Sequence, residues 1–196
     1  MKRIFVPLLA LLLAGATTVI AHEAHDKGGT GLFGNAPEYI HVLLNPLPVY
    51  ALAVGVAAPA ISLLRRIKSL QTFALITIIA ASAAAWPVVQ SGHSAYSRVR
   101  PLADEKGQDW LDEHMERADK LVYVFYAAAG LGLASLLARR KSEKASTVLS
   151  SLTLVVSMAA LGAGGWISYA GGKIRHPEFR PEASQISTNE HKTEHK

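Results

Sequence analysis

The 196-residue chain contains no cysteine. Disulfides, iron–sulfur clusters, thiolate metal sites and covalent c-type haem attachment are therefore excluded, and any cofactor must be held by His, Met, Tyr or carboxylates. A nucleophile elbow, a phosphate loop and a paired-carboxylate constellation are also missing. The glycine-rich run Gly162 to Gly165 falls inside an apolar stretch, where glycine is a packing device and not a phosphate cradle. The net charge of +5 comes with no nucleic-acid motif and no basic-aromatic stripe, so nucleic acid is not an expected partner. Charged residues are only 18% of the chain, and none stands in the middle of a long apolar block. That argues against a proton relay, a voltage sensor or a transporter driven by buried charge.

What the chain does have is apolar sequence: half of all residues, arranged in blocks rather than at a helical or strand period. Lipid explains such blocks better than a buried core. The first, Ile4 to Ile20, follows Lys2 and Arg3 and closes on Val19-Ile20-Ala21 before the polar stretch His22-Glu23-Ala24-His25-Asp26. This is the pattern of a secretory signal peptide, 1–21, followed by an exported segment, 22–38. Four further blocks, Tyr39–Leu64, Leu70–Val89, Leu121–Ala138 and Thr147–Ala170, are each long enough to cross a hydrocarbon core of about 30 Å.

Orientation follows from the short connections. Arg65, Arg66 and Lys68 separate the first two spans, and Arg139, Arg140, Lys141 and Lys144 the last two, which places both turns in the cytoplasm. The longer connection from Gln90 to Lys120 balances its basic residues with seven carboxylates and is expected on the exported side. The expected architecture is an all-α membrane protein, a four-helix transmembrane bundle over 39–176 in a bacterial inner membrane, with both termini exported. Residues 177–196, rich in Glu, Lys, Ser and His, have nothing apolar to bury and are expected to be a disordered tail.

Small residues predict where these helices meet, since in lipid close backbone approach replaces the hydrophobic drive between helices. Ala160, Gly164, Ser168 and Gly172 form a ridge of period four on the last span, and Gly130, Ala134 and Ala138 one on the third. Pro46, Pro48, Pro59 and Pro87 are expected to kink or delimit the first two spans. Glu113 with Arg117 and Glu116 with Lys120 pair at i, i+4, while Trp110, His114, Ala118 and Leu121 share a face. The third helix should therefore begin before its apolar block does.

Histidine carries the candidate chemistry. His41 lies 24 residues before Arg65, His93 25 after Lys68, and His114 25 before Arg139. On continuous helices all three stand roughly 36–38 Å above the cytoplasmic turns. His176 follows the last span at the same surface, so each span has one histidine at or beyond its exported end. Four imidazoles at one end of a bundle suit either a b-type haem or a divalent metal ion. For a haem, His41 and His114 are the expected axial ligands because they enter on odd-numbered spans at nearly equal height; His93 is the substitute. His93 adjoins Gly92 and Ser94, where the chain is expected to leave the helix. His176 precedes Pro177 and is the expected metal ligand rather than a haem ligand. The pair His22 and His25 is a solvated leader segment with a metal-capture arm as its alternative. The main expectation from the sequence is interfacial packing of these histidines, with the chain a non-catalytic accessory or structural subunit that meets other membrane or electron-transfer subunits through its helix ridges. Haem or metal binding is the alternative.

Three stretches resemble a known family: Tyr39-Ile40-His41-Val42-Leu43-Leu44-Asn45-Pro46-Leu47-Pro48, the pair His114-Met115, and Gly164-Gly165-Trp166-Ile167-Ser168-Tyr169-Ala170-Gly171-Gly172. Across roughly Glu38 to His176 the chain resembles the bacterial membrane proteins grouped as domain of unknown function 2231. The resemblance implies a four-helix protein and, because some relatives are joined to redox domains, electron-transfer surroundings. It implies no settled activity.

Overall fold

The computed structural model describes residues 36–65 and 68–181. The expected signal peptide and residues 22–35 lie outside the described residues. Every regular element among the described residues is helical: α1 (Pro37–Leu44), α2 (Pro46–Arg65), α3 (Lys68–Ala83), α4 (Ala85–Val99), α5 (Glu105–Ala138) and α6 (Glu143–Arg175), with single 3-10 turns at Arg100–Leu102 and Pro177–Phe179. Four helical stretches are long and apolar enough to cross a membrane: Pro37–Pro59, Ser69–Leu102, Glu105–Ala138 and Glu143–Arg175. Together they describe a multi-pass membrane protein.

Proline places the breaks inside the first two spans. Asn45 separates α1 from α2 immediately before Pro46, and Ala84 separates α3 from α4 three residues before Pro87. Each ring removes a backbone donor and crowds the preceding turn, so the chain resets its helix there. Pro59, by contrast, is carried within α2.

Where a long exported loop was expected, the structure has helix. α4 continues past His93 to Val99, and α5 starts at Glu105. Ser91 donates to the carbonyl of Val88 and Ser94 to that of Gln90, so these hydroxyls are satisfied along the helix itself and do not end it. At the far side of the short connection Asp104 caps α5, accepting from the amide of Gly107. The pairs Glu113–Arg117 and Glu116–Lys120 form as expected on α5 ahead of its apolar block. At 34 residues, α5 is about 50 Å long and overshoots a hydrocarbon core of about 30 Å by several turns.

The four spans form a ring. The first packs on the second and fourth, the third on the second and fourth, and the diagonal pairs barely touch. Large apolar side chains such as Val54, Phe73, Leu133, Val155 and Met158 point outward, as lipid requires, while Leu52, Ile78, Val122, Phe125, Ala128 and Ala160 fill the middle.

The contact seam corrects the expected ridges. On α6 the buried line is Ser146, Thr153, Ser157, Ala160 and Gly164, and on α5 it is Leu111, His114, Val122, Phe125, Ala128, Gly132 and Ser135. These are coiled-coil-like spacings built from threes and fours. A period of four drifts about 40° per step on a helix of 3.6 residues per turn, so it rotates off the interface. Ala160 and Gly164 are buried, but Ser168 is exposed, and nothing lies within 4 Å of a side chain added at Gly130.

The expected tail boundary also moves. Arg180 is buried: its guanidinium pairs with Asp104 through both terminal nitrogens, at 2.7 and 2.8 Å, and donates to the carbonyls of Lys173 and Ile174. Residues 177–181 thus belong to the folded body, tied to it through the Arg180 guanidinium.

Candidate functional site

The histidine end of the bundle holds a partly open cleft whose enclosed volume is about 60 Å³. Each span contributes to its wall: Val49 from the first, Ala85 from the second, Phe125 from the third, Gly164 from the fourth. The lining is predominantly apolar, and of its three histidines His41 and His114 come from diagonal helices.

His41 on α1 and His114 on α5 have ring centres 6.3 Å apart and ring planes at 87°. Each ring is held by the helix beside its own. His41 Nδ1–H donates to the carbonyl of Val88 on α4 at 2.9 Å, and His114 Nδ1–H donates to that of Ile167 on α6 at 3.0 Å. A carbonyl can only accept, so both bonds place the proton on Nδ1 and leave the Nε2 lone pair free, the state a metal ligand needs. Among the described residues neither Nε2 has a hydrogen-bond partner.

Glycine makes room for both rings. A Cβ at Gly92 would stand 3.0 Å from Cε1 and 3.1 Å from Nδ1 of His41; one at Gly171 would stand 3.2 Å from the same two atoms of His114. Gly92 lies four residues after Val88, and Gly171 four after Ile167. The two hairpins therefore repeat one construction: a histidine at the open end of the first helix, a carbonyl on the second to hold its Nδ1, and a glycine one turn on against the ring. Sequence reading singled out the histidines and missed the carbonyls and glycines. The matching spacings, Val88 to Gly92 and Ile167 to Gly171, were visible, but only a contact between helices gives them meaning.

The other two candidates stand apart from this pair. His93 borders the same cleft from a continuous helix, not from a fraying end, and its Nε2 is engaged by Asp119 Oδ1 at 2.8 Å, both side chains about half exposed. His176 lies beyond α6, where its ring stacks on Phe179 and its Nδ1 meets Glu178. Among the described residues no three His, Asp or Glu side chains converge in a way that could hold a metal ion. A haem asks for only two imidazoles and its macrocycle takes apolar walls, so the donor pair and the apolar lining are of the kind that group needs.

A second cluster flanks His114. Arg117 lies 4.2 Å above the Trp166 ring and donates to the Trp166 carbonyl, while Lys173, 2% exposed, sits between Trp110 and Tyr169 at 4.0 and 3.9 Å from their ring centres and donates to the Tyr169 hydroxyl. Arg117 also pairs with Glu113, and both cations are stabilised by aromatic faces and polar oxygens, which lets α5 and α6 keep charge close to an apolar surface. Comparison of the chain with protein-family models, with curated proteins and with solved structures found no match.

Proposed function

We propose that this chain is a membrane-embedded b-type haem protein in which His41 and His114 are the axial ligands and the bound haem serves electron transfer. The observation that carries the reading is the His41–His114 pair itself. Two imidazoles bonded at about 2 Å to opposite sides of one iron have ring centres about 6 Å apart, and these stand 6.3 Å apart before any group is added.

The protein's own contribution is positioning and an apolar lining. The Val88 and Ile167 carbonyls fix the tautomer and present both Nε2 atoms, and outer-shell bonds of this kind raise ligand basicity and metal affinity. Apolar side chains from all four spans make up most of the site's wall. A bound haem supplies reversible one-electron chemistry. By the basic turns in the sequence, the site opens toward the exported side, where a partner subunit would exchange the electron.

The test is absorption of protein purified in detergent from haem-replete cells, with iron analysis. Wild type should carry a Soret band that His41→Ala and His114→Ala each abolish and His176→Ala retains. Colourless, iron-free wild-type protein would overturn the haem reading and leave the accessory-subunit reading as the better one.

A further inference from the structure

We infer that the two hairpins act as a matched clamp that holds the His41 and His114 rings crosswise, with Gly92 and Gly171 as its positioning residues. A haem held there would then be a six-coordinate electron carrier with no position for an exogenous ligand. The inference rests on the haem reading and goes beyond it to the geometry and the role of the iron.

Each ring has two constraints that together determine its plane. A hydrogen bond directs Nδ1 at a backbone carbonyl, to Val88 for His41 and to Ile167 for His114. The ring edge carrying Cε1 then lies against Gly92 or Gly171, so close that a Cβ there would push the ring by a few tenths of an ångström. Because those carbonyls and glycines lie on α4 for one ring and on α6 for the other, the two rings are turned independently, and their planes stand at 87°. Packed helices give both anchors little freedom to move, so the crossing angle is a property of the fold.

Crossed imidazole planes have a distinct electronic signature. When the two planes coincide, they raise one iron dπ orbital above the other; when they cross, the two orbitals stay close in energy, and spin–orbit coupling spreads the g values of the ferric ion. Crossed rings thus give a highly anisotropic low-spin electron paramagnetic resonance signal, whereas parallel rings give the ordinary rhombic one. With both axial positions taken by protein nitrogen, the reduced form has no site for carbon monoxide.

The experiment is low-temperature resonance of the ferric, haem-loaded full chain, with carbon monoxide added to the reduced form. Wild type should show the highly anisotropic signal and no spectral change with carbon monoxide. In Gly92→Ala and Gly171→Ala the added methyl must displace a ring, so the signal should shift toward the rhombic type. Gly165→Ala, where nothing lies within 4 Å of the added carbon, should match wild type. A rhombic wild-type signal, a high-spin signal or carbon monoxide binding would overturn the clamp while leaving haem binding intact. Wild-type signals retained in both glycine variants would overturn the role of the glycines. Protein without haem would instead overturn the functional reading on which the clamp rests.

Discussion

At the scale of single residues, side chains that look alike in sequence have been given different tasks by their neighbours. His41 and His114 offer an open Nε2 because a carbonyl holds Nδ1, whereas His93 and His176 spend a nitrogen on a carboxylate. Asp104 likewise does two jobs, capping α5 and accepting the Arg180 guanidinium, which together hold its carboxyl down at about 2, well below the usual carboxylate value. A depressed carboxylate contributes stability above its unfolded value and loses that contribution as pH falls through the folded one. The C-terminal segment around Arg180 should therefore stay docked at neutral pH and release as pH drops from about 4 toward 2. Hydrogen exchange of the 3-10 turn Pro177–Phe179 measures this, and in Asp104→Asn the segment should exchange quickly at every pH. Slow exchange in that variant would show that apolar contact, not the ion pair, holds the segment.

At the scale of helices, the seam between α5 and α6 decides which small residues count. A side chain at Gly164 would come within 2.8 Å of Val49 and 3.3 Å of Phe125, whereas one at Gly130 meets nothing. Gly164→Leu should destabilise the bundle by about 1–3 kcal/mol, the usual range for overpacking, and Gly130→Leu should be neutral. Thermal unfolding in detergent compares them directly, and equal effects would argue against the three-and-four seam. Both glycines stood in ridges of equal appearance in the sequence. Period four recognised the two helices as packing elements, but the face of each that turns inward depends on the rotation of the helix about its axis, which small residues alone do not set.

At the scale of the whole molecule, the ring of four spans makes the first and third helices diagonal partners, and this is what lets two imidazoles face each other across the axis. Their height was legible from counting residues to the basic turns; their separation and crossing angle were not. The same turns carry the expectation that the histidine end faces the exported side, and a reporter tests it. A phosphatase reporter fused after Leu102 should be active and one after Lys68 inactive. The reverse pattern would put the histidine cleft at the cytoplasmic face and change the compartment of any electron partner.

The sequence by itself determined the number of spans, the breaks near Pro46 and Pro87, and the gathering of four histidines at one end. Hydropathy, backbone donors and rise per residue are all local properties of the chain. It also carried the early start of the third helix, written in the i, i+4 pairs before the apolar block. Only the tertiary structure decided which two histidines meet, that their rings cross, and that Gly92 and Gly171 are the residues against which they cross. Those outcomes depend on which helix stands beside which and on how each is rotated, and such relations arise only when side chains far apart in the chain interlock.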